Sequence, residues 1–381
     1  MLNRESAIKK IIYIASSLKR SGPTNQLFNI IKNLDRSAIE PVLWTLSPEP
    51  EDSKWQDYQS LGIEMHSLKL SRLGGLFIAR SRLEKLIKET QPDLIHTQGI
   101  RADVLSSKLK IEIPKVATIR NFPQKDFPMT YGSLLGSLMV RRQIGALRKL
   151  NACIGVSEAV SVNLKKTFGL NHVETITNGV DTAIYSPVDN AVKIELRSKL
   201  GLPLEAKIWI VSGHLSERKD PLFLINAWKN FFANNTKHCL VLLGGGDLQY
   251  NCIQAVDRVN NVKVVGRVTN VVEYLQASEY YLAASKAEGM PNAALEALAC
   301  GLPLFLSDIG PHNELVKMDE KIGLTYEIDN PDDFHEQINK LMDREYQTMR
   351  SACLSLVSTS LSASVMSQKY QALYMKLMSK G

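Results

Sequence analysis

Glu288 and Glu296 are the residues whose type and spacing most plainly suggest chemistry. They lie in a segment running from Glu288 to Pro303, with Pro291 at the place a helix would begin and Gly301 just past its end. Between them, Ala293, Ala294, Leu295, Ala297, Leu298, Ala299 and Cys300 are apolar on every side, the pattern of a helix inside a large core. Glu296 is the only charge in that helix. A buried carboxylate is costly unless donors reach it. Glu288 stands before the helix, in the loop leaving the apolar run Tyr280–Ser285. In open α/β sheets a ligand sits there, outside the carboxyl end of a strand and against a helix N-terminus. Backbone N–H groups around Gly289, Met290, Pro291 and Asn292 would face a phosphate. Asn292 and Glu296 share a helix face about 6 Å apart along the axis, roughly the separation of a diphosphate from a ribose diol. The competing reading is structural: Glu296 pairs with a distant Arg or Lys, and Glu288 caps a helix dipole.

This segment closely resembles the donor-site pattern of the retaining glycosyltransferases of family four, which have the GT-B fold. That pattern is Glu, seven residues, Glu, with Gly and Pro-Asn after the first carboxylate. The resemblance continues through Val264-Val-Gly-Arg-Val268 upstream and Ser307-Asp-Ile-Gly310 downstream. It implies that Arg267 and Val268 meet the base of a nucleotide through backbone groups.

Four further constellations follow candidate strands. Ser212-Gly213-His214 through Arg218-Lys219 places a Gly at a strand end and two cations before a helix, a plausible diphosphate clamp or an ordinary solvated turn. It is similar to the family's Gly-Arg…Lys element, with Lys219 on the Lys and His214 where the family has Arg, so Arg218 is the substitute phosphate contact. Gly244-Gly-Gly-Asp247 lets backbone approach a ligand closely, although such turns occur in this fold class without one. Ser21-Gly22-Pro23 matches the family's Gly-rich loop only in Gly22, and reads equally as a helix start capped by Thr24. At the strand end where the family has a sugar-contacting His, this chain has Arg120 and Asn121. An Arg there could pair with a donor phosphate or an acidic sugar. His96 also ends a strand and reads as structural. With no Asp-x-Asp anywhere, no metal or other cofactor is expected.

These residues need a scaffold. At 381 residues, 44% hydrophobic and 22% charged, the chain is expected to form two soluble domains. Candidate strands at 10–15, 41–45, 93–96, 115–119 and 152–156 alternate with helices at 24–34, 75–90, 101–110, 133–150 and 158–168. A second series has strands at 207–211, 238–243, 262–265, 280–284 and 303–306. The economical fold is α/β: GT-B, two Rossmann-like doubly wound domains facing a cleft. The boundaries are 1–185 for an acceptor domain, joined by a C-terminal helix over 360–381, and 186–359 for a donor domain. Cys153, Cys239, Cys252, Cys300 and Cys353 have no paired spacing and read as reduced core residues. The start, Met-Leu-Asn-Arg-Glu-Ser, has no secretory apolar region, so a cytoplasmic location is expected, peripheral to the inner face of a membrane.

Residues 1–187 hold 26 Lys and Arg against 17 Asp and Glu, whereas the remainder is slightly acidic. Such asymmetry suits an anionic partner such as a lipid surface or lipid diphosphate. The basic stretch from Met129 to Lys149, with Leu134, Leu135 and Leu138, is read either as core packing or as a membrane-docking face. No aromatic-basic interleaving suggests nucleic acid.

The residues and the resemblance together imply a metal-independent glycosyltransferase with a nucleotide diphosphate sugar donor. Its acceptor would be a lipid-linked carbohydrate of bacterial polysaccharide assembly. Glu288, Lys219, Arg120 and Asn121 would be catalytic. Gly22, Gly213, His214, Arg218, Lys219, Gly244, Arg267, Val268, Gly289, Met290, Pro291, Asn292 and Glu296 would join Glu288 in binding the donor. Alternatives are a sugar-nucleotide epimerase or phosphorylase on the same fold, or an inactive nucleotide-sugar-binding subunit.

Overall fold

The computed structural model describes residues 8–71, 75–232, 235–257 and 259–379. The N-terminal stretch read above for a secretory segment and the last two residues of the expected C-terminal helix lie outside these. The chain divides into two compact units, Met1–Gly179 with Ala363–Gly381, and Val180–Ser362.

Unit 1 is built on seven parallel strands: β1 (Lys9–Ala15), β2 (Ile39–Thr45), β3 (Glu64–Ser67), β4 (Leu94–Gln98), β5 (Lys115–Ile119), β6 (Ala152–Gly155) and β7 (Val173–Thr175), in the order β3-β2-β1-β4-β5-β6-β7. The order reverses between β1 and β4, the place where parallel doubly wound sheets open a crevice at their carboxyl ends. Central β1 reads Ile11-Ile-Tyr-Ile14 and is fully buried because both faces are covered. Ile11 and Tyr13 point into one core with Leu27, Ile30 and Leu43; Ile12 and Ile14 point into the other with Val42, Trp44 and Leu83. The C-terminal helix Ala363–Met378 completes the first core with Met366, Tyr370, Leu373 and Tyr374. Ser367 Oγ donates to Ile30 O at 2.8 Å. His96 is structural, its ring nitrogens 2.7 Å from Tyr374 Oη and 2.7 Å from Thr118 Oγ1.

Unit 2 carries six parallel strands: β8 (Lys207–Ser212), β9 (His238–Leu243), β10 (Val262–Gly266), β11 (Tyr280–Ala283), β12 (Leu304–Ser307) and β13 (Gly323–Tyr326), in the order β10-β9-β8-β11-β12-β13. The reversal falls between β8 and β11, where Trp209 stacks on its register partner Tyr280 with ring centroids 4.0 Å apart. All five cysteines are free and buried.

The strands missing from the sequence reading, β3, β7 and β13, are sheet edges of three or four residues. The helix Pro123–Tyr131 was missed as well, because Pro128 lies inside it.

Candidate functional site

The loops at the carboxyl ends of β8 and β11 bring together most of the residues singled out in unit 2. After β8 the chain turns at Gly213 (φ 151), exposes His214, and reaches Arg218 and Lys219 before the helix Pro221–Phe232. After β11 it passes Ser285 and Glu288 and enters the helix Asn292–Ala299. That helix begins one residue later than expected. Pro291 precedes it, its carbonyl accepting from the Ala294 and Leu295 N–H groups at 3.0 and 3.2 Å. At its far end, Gly301 takes the left-handed conformation expected of a helix stop, at φ 78.

Glu288 is buried, with 9% exposure, and is gripped from three directions. Lys219 Nζ pairs with Oε1, Arg218 donates to Oε2 at 3.1 Å, and Ser285 Oγ donates to Oε1 at 2.9 Å. Arg218 also holds the Ala287 carbonyl at 2.7 Å, so it fixes the loop as well as the carboxylate. Burial would push this carboxyl up, but the charges of Lys219 and Arg218 prevail and hold it at about 2. No side-chain hydrogen bond from Glu288 caps the helix Asn292–Ala299. Glu288 is the counter-ion of the two cations.

Glu296 has the opposite environment. Burial on the otherwise uncharged helix pushes its carboxyl up to about 7, against the pull of the Tyr185 phenol hydrogen bond and the Lys219 charge. Among the described residues no cation forms a salt bridge with it, which removes the ion-pair reading. The neighbouring Ala294, Leu295, Ala297 and Leu298 are fully or almost fully buried.

The glycines of the β9 loop serve a purpose the sequence reading did not foresee. A side chain on Gly244 (φ 137) would stand 1.7 Å from Gly213 O, and one on Gly246 (φ 153) would stand 2.3 Å from Leu215 O. Their close approach is to the β8 loop, which they hold through Leu215 N–H donating to Gly245 O at 2.9 Å. Arg267 is exposed beside Gly245, and Val268 follows it at the end of β10.

Two supporting residues had no role assigned from the sequence, although Ser307 opens the downstream stretch that carries the resemblance. Ser307, ending β12, donates to Ser285 O at 2.7 Å and so braces the residue that holds Glu288. His312, fully buried, has its Nδ1 2.8 Å from Ser307 O, which assigns the ring proton to Nδ1 and leaves Nε2 without a partner among the described residues. Burial lowers its pKa to about 4, so the ring is neutral near pH 7. For Ser307 the available signals were the Ser307-Asp-Ile-Gly310 resemblance and its place at a strand end; His312, inside the helix Gly310–Met318, had none.

The remaining candidates lie in unit 1. Gly22 opens the helix Gly22–Lys32, whose cap is Ser21 rather than Thr24; Thr24 Oγ1 instead accepts the Ser21 N–H at 3.0 Å. Arg120 and Asn121 follow β5 and line a cavity of about 350 Å³ at the carboxyl ends of β1, β4 and β5. The basic stretch divides. Ile144, Ala146 and Leu147 are buried, while Leu134 is 92% exposed and Met129, Leu135 and Leu138 are also exposed.

Comparison with known proteins agrees with this architecture. Residues 20–184 match the model of Glycosyltransferase Family 4, and residues 192–353 match that of Glycosyl transferases group 1. The chain is 27% identical to the UDP-Gal:alpha-D-GlcNAc-diphosphoundecaprenol alpha-1,3-galactosyltransferase of Escherichia coli, covering 68% of this chain and 69% of that protein. It is 25% identical to the capsular polysaccharide biosynthesis glycosyltransferase CapH of Staphylococcus aureus, over 88% and 91%. Anabaena HepE, solved with UDP, superposes with a TM-score of 0.80 at 19% identity, covering 96% of this chain and all of that one. Sucrose-phosphate synthase of Thermosynechococcus elongatus gives 0.80 at 16% identity, over 98% and 100%. The fold is that of the GT-B glycosyltransferases.

Proposed function

Because the chain belongs to the family 4 glycosyltransferases, we propose that it transfers a hexose-type sugar, with retention, from a nucleotide diphosphate donor to a lipid-linked carbohydrate in bacterial surface-polysaccharide assembly. The observation that carries this reading is the Glu288–Lys219–Arg218 cluster beside the helix bearing Glu296. Two cations held by one carboxylate are a ready diphosphate site. An incoming diphosphate offers more negative charge than Glu288 and takes over Lys219 and Arg218.

The steps then follow. Glu296 accepts hydrogen bonds from the ribose hydroxyls, and the backbone around Gly289 to Asn292 faces the diphosphate. The bond from the anomeric carbon to the diphosphate oxygen breaks, its electron pair leaving with the phosphate, where Lys219 and Arg218 stabilise the charge. Glu288, ionised, favours positive charge on the anomeric carbon. The acceptor oxygen bonds to that carbon on the face the phosphate leaves, and its proton passes to the leaving phosphate. No metal or protein base is needed. UDP-sugars are the first donors to test, since HepE was solved with UDP and the Escherichia coli relative is named for UDP-Gal. That relative is also named for a diphospholipid-linked acceptor, which supports the acceptor class.

Glu288→Gln should keep the UDP-induced rise in melting temperature and lower turnover about 100-fold or more. Glu296→Ala should chiefly lose the UDP response. Full turnover by folded Glu288→Gln protein contradicts the assigned role.

A further inference from the structure

Arg120 is a charged group in search of an anion. Its guanidinium is partly buried, and its partners are amide oxygens: Gln98 Oε1 at 3.0 and 3.3 Å, and Asn178 Oδ1 at 3.1 Å. Among the described residues no carboxylate forms a salt bridge with it. Compare Arg197 in unit 2, more deeply buried, which has the Glu279 carboxylate on its Nη2 atom. A buried cation without a counter-ion is costly, and burial pushes Arg120 below its ordinary range despite the phenols of Tyr370, Tyr58 and Tyr374 around it.

The surroundings repeat the pattern. The cavity that Arg120 lines is also bordered by Lys19, Ser16, Ser21, Gln98 and Asn121, and among the described residues no Asp or Glu lines it. It therefore offers a second cation, hydroxyl and amide donors, and nothing that repels a negative group. Arg120 is planar and forked, suited to two parallel oxygens of a phosphate or carboxylate. Gln98 and Asn178 hold its orientation without neutralising it.

From this geometry we infer that the unit 1 cavity is an anion-reading subsite, which selects a sugar acceptor bearing a negative group through Arg120. It rests on the reading of unit 1 as the acceptor side. The shared chemistry is an anionic oxygen group, supplied either by a diphosphate linking the acceptor sugar to lipid or by a uronic acid.

Three short-chain alkyl probes separate these sources when titrated against the full chain by calorimetry: a glycosyl diphosphate, a uronoside and the matching neutral glycoside. The expected result is at least tenfold tighter binding of one or both anionic probes than of the neutral one, weakening as salt rises. Arg120→Gln should erase that difference, and Arg120→Lys should retain part of it. The tighter-binding of the two anionic probes identifies the source. Equal affinity for all three probes, or anion binding by Arg120→Gln equal to that of the unaltered protein, overturns the inference. UDP titration of the same variants reads the donor side separately. Loss of the UDP response in the unaltered protein would count against the transferase mechanism and leave the anion test intact.

Discussion

Glu288 and Glu296 carry the same functional group at opposite ends of the carboxyl range, about 2 and about 7. Two cations account for the first, and burial for the second. The signs have opposite consequences. The ordinary value is 4.5, so Glu288 contributes stability above that pH and loses it as pH falls toward 2. Glu296 favours the protonated folded state between 4.5 and about 7, so the free protein loses stability as pH rises through that window. Ribose hydroxyls donate best to the ionised form. UDP affinity should therefore increase between pH 6 and 8, and Glu296→Gln should flatten that dependence in calorimetric titrations across this range. A profile unchanged by the substitution removes Glu296 from the nucleotide site. Both glutamates were legible in the sequence, because a lone charge on an apolar helix and a carboxylate at a strand end are local patterns. Their electrostatic environments were not. The Lys219 and Arg218 partnership depends on two loops meeting across β8 and β11, which no local spacing encodes.

At the scale of elements, the β8 and β9 loops form one interlocked platform. Gly244→Ala would drive a methyl group into Gly213 O and force an unfavourable backbone, and should destabilise the protein by more than about 2 kcal/mol. Gly245→Ala meets its nearest atom, Gln249 Oε1, at 3.3 Å and should change stability by under about 1 kcal/mol. Denaturant midpoints of the two variants test the pair; similar losses would mean that the loop contact is not what requires Gly244. The central strands were readable because parallel strands buried on both faces form continuous apolar runs, as Ile11-Ile-Tyr-Ile14 and His238-Cys-Leu-Val-Leu-Leu243 do. The edge strands Glu64-Met-His-Ser67, Val173-Glu-Thr175 and Gly323-Leu-Thr-Tyr326 were not, since each is short and half-polar and is defined by its neighbour's hydrogen bonds. The same limit applies to the glycines. A run of three reads as room for a ligand, while the structure uses two of them for backbone packing.

For the whole molecule, charge is the organising asymmetry, and it coincides with an exposed apolar face. Leu134, Leu135, Leu138 and Met129 are exposed on the helices Pro123–Tyr131 and Ser133–Leu147, beside exposed Lys125, Arg141 and Arg142. No described helix is long and apolar enough to cross a membrane. The proposed lipid-linked acceptor would call for contact with a bilayer, and we propose that this face supplies it, its apolar side chains inserting and its cations attracting anionic headgroups. The protein should sediment with vesicles containing anionic lipid, more weakly at physiological than at low salt. Leu134→Glu with Leu138→Glu should abolish the association while preserving the UDP response. Absence of binding at either salt concentration would remove the membrane role.

The most direct test of the account is a crystal structure of the protein with UDP bound. The expected result is ribose hydroxyls on Glu296 and the diphosphate on Lys219 and Arg218, with Glu288 freed from at least one of them. UDP bound elsewhere, with both cations still on Glu288, would contradict it.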